Sequence, residues 1–231
     1  NNKPAVTQRE MSSNARQIPL LYSFRRCPYA MRARMALAQA GIAVELREVL
    51  LKDKPEQMLE LSPKGTVPVL LATGGEVVEE SINVMHWALK QNDPEGWLDS
   101  AESDALIQEN DGEFKSALDR YKYHTRHPEH PREHYRAQGE VFLQKLETRL
   151  EKNAGAALAG PTTSLADIAI FPFIRQFAGA DADWFSTSPY PHLRAWLDKW
   201  VNSELFLRVM KKRQPWRESD EPVIEFWVLP D

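Results

Sequence analysis

The chain has 231 residues, 42% apolar and 27% charged, a mixture typical of one or two folded globular domains. Its 29 basic and 33 acidic residues give a net charge of −4, which argues against a nucleic-acid partner. No apolar run approaches the ~18–20 residues that span a bilayer, so no membrane segment is predicted. Residues 1–17 are polar and lack a hydrophobic signal core, which predicts a flexible arm. With one cysteine and no export signal, we expect a cytoplasmic protein.

The first predicted elements form a strand, a helix and a strand. Residues 18–24, IPLLYSF, are a short apolar run typical of a buried strand. Residues 28–40 have a helical apolar stripe, with Pro28 suited to the first helical position and Gly41 to the C-terminal end. Residues 43–49 alternate between apolar and polar side chains. Because the connections are short and the middle element is a helix, the two strands should be parallel.

A second group of elements completes an α/β domain. Residues 51–61 predict a short helix, and residues 67–71 predict a strand. A Gly-Gly turn leads to residues 76–80, EVVEE, as the hairpin partner of that strand. A helix is predicted over 81–91, with Ser81 as its N-cap. The predicted order is β-α-β-α-β-β-α.

The second half of the chain is predicted to be all-helical, with no strand between residues 100 and 220. Ser164 and Asp167 have the spacing of a capping box at the start of the most apolar segment. The predicted helices cover residues 101–123, 132–152, 163–178, 190–201 and 203–212. The predicted domains are residues 18–92 (α/β) and 100–215 (all-α), followed by a tail, 216–231.

The only cysteine, Cys27, lies in the stretch FRRCPYAMRARMAL, where a strand leads into a helix. A lone cysteine has no internal disulfide partner, so it is either a small buried group or a working thiol. Unpaired N–H groups at a helix N-terminus favour an anion, and Arg25 and Arg26 add positive potential. The thiolate is the nucleophilic form of cysteine. The position therefore favours a reactive thiol, while an inert buried cysteine stays open.

Four segments, in this order and spacing, carry a family resemblance: LYSFRRCPYAMRARMALAQAGI, LKDKPEQM, SPKGTVPVL and EESINVMHWA. They resemble the thioredoxin-like domain of cytosolic glutathione transferases, most of all the cysteine-type, omega-like branch and its bacterial members. TSLADIAIFPF resembles the capping box and core helix of that family's C-terminal domain. The resemblance covers about residues 18–212. It implies a thioredoxin-like α/β domain followed by an all-α domain.

The resemblance also implies roles for residues near the thiol. Cys27 would be the catalytic residue that forms a mixed disulfide with glutathione. Three positions later stands Ala30 rather than a second cysteine, so glutathione itself would have to resolve that intermediate. Pro68 would follow a cis peptide bond, which is a proline phenomenon in proteins. Val67 would offer its backbone N–H and C=O to the cysteinyl part of glutathione as an added strand.

The two ends of glutathione would be held by polar residues on either side. Ser81, at a helix N-terminus, would receive the γ-glutamyl carboxylate, and Glu80 would accept from the γ-glutamyl ammonium. Lys54 would pair with the glycyl carboxylate. Taken singly, each has a plain structural reading: Ser81 as a helix cap, Glu80 and Lys54 as solvated surface charges. It is their joint placement around one tripeptide that favours binding.

The co-substrate, expected to be apolar, should lie between the domains. Tyr29 follows Cys27 closely, and Tyr121 and Phe171 are candidate walls of that pocket. A segment with four histidines, residues 124–134, has spacings of three and four that can suit a metal. Because two prolines interrupt it and nothing completes a ligand set, we predict a loop and no metal cofactor.

Two functions fit this sequence. The first is a glutathione-dependent thiol transferase or reductase, of dehydroascorbate-reductase type, with weak conjugating activity toward small electrophiles. The second is a non-catalytic binding or regulatory module with the same fold. Retention of Cys27, Val67–Pro68 and Glu80–Ser81 favours the enzyme. The resemblance further implies a homodimer whose partners are glutathione, as co-substrate, and a small electrophilic or disulfide substrate.

Overall fold

The structure, a computed structural model, describes residues 16–227, so most of the predicted arm, residues 1–17, lies outside the described residues. The predicted fold class is confirmed, with a thioredoxin-like α/β domain followed by a helical domain. The first domain contains β1 (Leu20–Ser23), α1 (Pro28–Gln39), β2 (Val44–Glu48), α2 (Glu56–Leu61), β3 (Val69–Leu71), β4 (Val77–Glu79) and α3 (Ser81–Gln91).

The sheet is mixed, with strand order β4-β3-β1-β2-β5. β1 is entirely buried and pairs with β2 in parallel, with Leu20 opposite Glu45, as a strand–helix–strand unit requires. β3 runs antiparallel to both β1 and β4. This topology places the β1–α1 turn, which carries Cys27, next to the segment that enters β3.

The fifth strand, β5 (Ile224–Glu225), comes from the C-terminal tail, whose position the sequence left open. It pairs antiparallel with β2, and the Leu46 N–H donates to the Val223 carbonyl over 2.8 Å. The Arg47 guanidinium lies 4.1 Å from the centre of the Trp216 ring. The tail therefore covers the edge of β2, an edge that would otherwise expose unpaired backbone groups.

The second domain contains α4 (Ser103–Glu109), a π-helical turn (Asn110–Phe114), α5 (Lys115–Lys122), α6 (Arg132–Lys152), α7 (Leu165–Ala180), α8 (Ala182–Ser186), α9 (Pro191–Val201) and α10 (Glu204–Val209). Short 3₁₀ turns occur at Trp97–Asp99 and His124–Arg126. The single helix predicted over 101–123 is thus divided by the π-helical turn, and the short α8 was not predicted. No helix within the described part of the chain is long and apolar enough to cross a membrane.

The capping box predicted at the start of α7 is confirmed. The fully buried Asp167 carboxylate accepts from the Ser164 N–H at 2.9 Å and from the Leu158 N–H at 3.0 Å. The Trp196 indole N–H also donates to it, at 2.8 Å. Burial nevertheless raises the pKa of Asp167 above its ordinary value. This carboxylate thus joins α7, α9 and the preceding loop at the centre of the second domain.

Candidate functional site

Cys27 occupies the N-cap position of α1 and is partly exposed. Its backbone N–H donates to the Phe24 carbonyl at 3.0 Å, and its carbonyl accepts from the Met31 N–H at 2.9 Å. Its side chain makes no capping hydrogen bond. The backbone is therefore fixed by the turn, and the partly exposed Cys27 lies at the N-terminal end of the helix rather than fully sealed in the core.

The segment that enters β3 lies directly beside the thiol. The Val67–Pro68 peptide bond is cis, as the resemblance implies. The Cys27 sulfur is 3.9 Å from the Val67 carbonyl oxygen. Val67 is itself partly exposed, whereas Pro68 and β3 beyond it are largely buried. A polar backbone group and the cysteine sulfur thus lie side by side, and both residues are partly exposed.

Glu80 and Ser81 lie at the start of α3, where the prediction of Ser81 as the N-cap is wrong. The N-cap is Glu80 rather than Ser81, because the chain turns one residue earlier, with Glu80 at φ 67° and ψ 129°. A positive φ is unfavourable for a residue with a Cβ, and such strain often marks functional positions. The Glu80 carboxylate is exposed and pairs with the Lys64 ammonium. Ser81 is buried, and its hydroxyl accepts from Arg32 Nε at 2.9 Å.

Lys54 lies in the loop between β2 and α2, where it is partly exposed. Its side chain packs beside Gly65, whose added Cβ would sit 3.4 Å from the Lys54 ammonium nitrogen. Gly65 has φ +64° and belongs to the loop that leads to Val67. The ammonium has no carboxylate partner among the described residues. The structure therefore places a cation near the loop before β3.

Comparison with known families agrees with this arrangement. Residues 21–96 match the family model described as the glutathione S-transferase N-terminal domain, and residues 129–199 match the C-terminal domain model. Together the two matches cover more than half of the chain. The chain belongs to the glutathione S-transferase family.

Curated relatives match this chain mainly over short segments. A probable glutathione transferase of Aplysia californica is 48% identical over 58 residues, 25% of this chain and 63% of that protein. The omega-1 glutathione S-transferase of Rattus norvegicus is 45% identical over 62 residues, 27% of this chain and 26% of that one. The maleylacetoacetate isomerase of Mus musculus is 27% identical over 216 residues, which cover 88% of this chain and 95% of that enzyme. The first two alignments span less than two thirds of those relatives.

Solved structures of the family share the fold at low sequence identity. A glutathione transferase family member from Pseudomonas fluorescens, crystallised with two glutathione bound, superposes with a TM-score of 0.72 at 19% identity. The match covers 87% of this chain and 96% of that one. At this identity the likeness establishes the fold of this chain alone.

Sequence reasoning missed a buried arginine behind Ser81. Arg32 is 1% exposed, and its guanidinium bonds both Asp111 carboxylate oxygens, at 2.8 and 2.6 Å. It also donates to the Ala169 carbonyl at 3.2 Å and lies 5.1 Å from the centre of the Phe173 ring. Asp111 belongs to the π-helical turn of the second domain. Arg32 therefore connects Ser81 directly to the other domain.

A second buried arginine, Arg34, holds the turn before Cys27. It donates to the Arg25 carbonyl at 2.8 Å, to the Ser23 hydroxyl at 2.7 Å and to the Val209 carbonyl at 2.9 Å. Burial lowers the pKa of Arg34 to about 10. The one signal for both arginines was the R-x-R spacing inside a helix whose other residues are mostly apolar. The β1–α1 turn is thereby fixed against the end of α10.

A cleft of about 640 Å³ lies between the β1–α1 turn and the second domain. Arg25 and Arg26 contribute the wall on the first domain. The facing walls come from α5, α7, α8, α9 and the end of α10. The residues on those walls are Lys122, Arg175, Gln176, Ala178, Gly179, Ala180, Ala182, Phe185, Ser186, Leu197, Val201 and Met210.

Three aromatic residues were predicted to line a co-substrate pocket, and for two of them, Tyr121 and Phe171, the prediction is wrong. Tyr121 and Phe171 are both 0% exposed and belong to the core, where Phe171 packs against Phe206. Apolar periodicity marks the buried face of a helix and cannot distinguish it from a pocket wall. Tyr29 is partly exposed and packs edge-on against Phe173, with ring centres 4.9 Å apart. It does not line the cleft beside Arg25 and Arg26.

The histidine-rich segment does not assemble a ligand set. His130 and His134 stack with ring centres 4.1 Å apart at the start of α6. Within residues 16–227 no group of three or more histidine, cysteine, aspartate or glutamate side chains is placed to hold a metal ion. The prolines predicted to break this segment do lie in the connection between α5 and α6.

Proposed function

We propose that this glutathione S-transferase is a cysteine-type, omega-like thiol transferase that reduces mixed disulfides of glutathione. The observation that carries the proposal is the partly exposed Cys27 at the N-terminal end of α1, with its sulfur 3.9 Å from the Val67 carbonyl oxygen. N–H groups at a helix N-terminus stabilise negative charge, here the charge of the attacking sulfur. The likeness to omega-1 glutathione S-transferases over 62 residues supports the same branch.

In this proposal, glutathione lies as an extended strand across the Val67 backbone. The exposed Glu80 carboxylate accepts from its γ-glutamyl ammonium, and the first turn of α3 with Ser81 receives its γ-glutamyl carboxylate. Lys54, beside the loop before β3, pairs with the glycyl carboxylate. The strained backbone of Glu80 supports a ligand role for this position.

The reaction has two thiol–disulfide exchanges. The Cys27 thiolate attacks the glutathionyl sulfur of the mixed disulfide, a Cys27–glutathione disulfide forms, and the substrate leaves as a thiolate that takes a proton from water. A second glutathione, as its thiolate, then attacks the glutathionyl sulfur. Glutathione disulfide leaves and the Cys27 thiolate is restored. Because this chain has a single cysteine, no protein thiol competes with the second glutathione.

The same mechanism predicts weak conjugation of aryl halides. A cysteine thiolate in this position competes with bound glutathione for the electrophile, rather than assisting attack by glutathione. The competing hypothesis is a non-catalytic binding or regulatory module with the same fold, which would not turn over disulfides.

The test is reduction of the mixed disulfide of glutathione and 2-sulfanylethanol by the full chain, followed through glutathione disulfide formation. Cys27→Ser should lose the reaction to the uncatalysed rate while still binding a glutathione resin. Mass spectrometry of the parent protein should detect one glutathionyl adduct, which must be on Cys27 because no other cysteine exists. Turnover by Cys27→Ser at the parent rate contradicts the mechanism, and resin binding without any turnover supports the binding module.

A cytoplasmic location and a homodimer are also part of this proposal. They rest on the family resemblance. Sedimentation analysis of the full chain tests the dimer, and a monomer at micromolar concentration would refute it.

A further inference from the structure

The interdomain cleft has a one-sided charge. Its walls carry four cationic side chains, and none of its lining residues is Asp or Glu. The cations come from three places in the fold: Arg25 and Arg26 before α1, Lys122 at the end of α5, and Arg175 in α7. This concentration contrasts with the chain as a whole, whose net charge is −4. Clefts lined by one sign of charge concentrate ligands of the opposite sign.

Arg175 is the best placed of these cations to meet a ligand. It is half-buried, and it has no ion pair or hydrogen bond to a carboxylate within residues 16–227. Its guanidinium lies 5.4 Å from the centre of the Phe206 ring. Burial, together with the nearby charge of Arg25, lowers the pKa of Arg175. Because no carboxylate lines the cleft, an anion bound between Arg25 and Arg175 would stabilise both guanidinium groups.

The remaining cleft surface is largely apolar. Phe185, Leu197, Val201 and Met210 form much of it. The cleft adjoins the turn that leads to Cys27, because Arg25 and Arg26 immediately precede that residue. Arg34 fixes this turn against the cleft wall: it donates to the Arg25 carbonyl, and its Nη2 lies 3.5 Å from the Met210 sulfur. A ligand that suits both surfaces has a small apolar body and an anionic end.

We propose that this cleft selects co-substrates that carry a carboxylate on a small apolar body, with Arg175 as the main contact of the carboxylate. This inference deepens the proposed function, because it takes glutathione to be bound beside Val67 with its sulfur toward Cys27. The substrates it designates are mixed disulfides of glutathione with thiol acids. It differs from the expectation of an apolar co-substrate.

The test uses two stable thioethers that cannot undergo exchange, S-(2-carboxyethyl)glutathione and its neutral amide, S-(2-carbamoylethyl)glutathione. Calorimetric titration of the full chain should give roughly tenfold tighter binding of the acid, the scale of one hydrogen bond to a charged group. Arg175→Gln should remove most of this preference, and Arg175→Lys should keep part of it. Because the cleft is open to solvent, the preference should also shrink as salt is added.

Lys152→Gln is the matched control, since Lys152 is an exposed cation at the end of α6 outside this cleft, and it should leave the preference unchanged. Equal binding of acid and amide by the parent overturns the inference, whatever the turnover assay shows. A preference that survives Arg175→Gln in a variant with parent-like circular dichroism overturns the role of Arg175. Failure of both thioethers to bind refutes the glutathione site and the inference together.

Discussion

Arg32 donates to the Ser81 hydroxyl at 2.9 Å while its guanidinium pairs with the Asp111 carboxylate of the second domain. One buried cation thus joins the start of α3, where we place the γ-glutamyl end of glutathione, to the π-helical turn. A π-helical turn shifts the side chains that follow it, and such turns occur often at functional sites. Arg32 therefore belongs both to the interface between the domains and to the support of the proposed glutathione site.

Asp111→Asn should destabilise the protein by roughly 2–3 kcal/mol, because a buried guanidinium loses the charge that compensates its desolvation. The Asp111 side chain is 29% exposed, which keeps the expected loss below that of a fully buried pair. Urea unfolding of the full chain measures it.

Asp119→Asn provides the control, since Asp119 makes a surface ion pair with Lys115 on α5 and is 44% exposed. Its expected cost is within about 0.5 kcal/mol. If both variants unfold at the same urea midpoint, the ion pair of Arg32 contributes no more than a surface pair does.

Glu80 should show a trade between stability and binding. Glu80→Gly removes the Cβ at φ 67°, so the variant should be at least as stable as the parent, with a gain of up to ~1 kcal/mol. It also removes the carboxylate proposed to hold the γ-glutamyl ammonium, so glutathione should bind roughly tenfold more weakly. Glu80→Gln separates the effects, because it keeps the strain and removes the charge. Unchanged glutathione affinity in both variants would refute this role for Glu80.

Tyr29 should not titrate during catalysis. Burial, and secondarily Asp111, raise its pKa to about 12. We therefore expect Tyr29→Phe to leave the pH profile of disulfide reduction unchanged between about pH 6 and 9. The folded-state pKa lies above the ordinary value of ~10, so the stability linked to the neutral hydroxyl is complete below that pH and is lost as pH rises through about 12. A shifted profile in Tyr29→Phe would assign a titrating role to this phenol.

The sequence was most informative where local rules act alone. Pro28 after Cys27 and the Ser164–Asp167 spacing each specify a helix start from a few neighbouring residues, and both starts are observed. Buried arginines escaped prediction because their partners are remote: Arg32 meets Asp111 79 positions later, and Arg34 meets Val209 175 positions later. A charged residue in a helix is usually assigned to its solvated face unless such a partner is known.

The residues that line the cleft likewise could not be predicted from the sequence. Phe171 and Arg175 are four positions apart in α7, yet the first lies in the core and the second lines the cleft. Their exposure depends on how α7 is rotated between α1, α5 and α9, which hydrophobic spacing defines only coarsely. The two-residue strand β5 is too short for any alternation to be detected.

Removal of the C-terminal tail tests whether the tail strand stabilises the sheet without supporting the proposed glutathione site. A chain ending at Lys212 loses β5 and the Trp216 ring that covers Arg47, so its free energy of unfolding should fall by roughly 1–3 kcal/mol. Trp216→Ala should account for part of that loss. Cys27 follows the central strand β1 and Val67 precedes β3, and β5 pairs with neither of these strands, so the shortened chain should still bind a glutathione resin. An unchanged urea midpoint would show that the tail strand adds no stability, and loss of resin binding by a folded shortened chain would show that the tail supports the glutathione site.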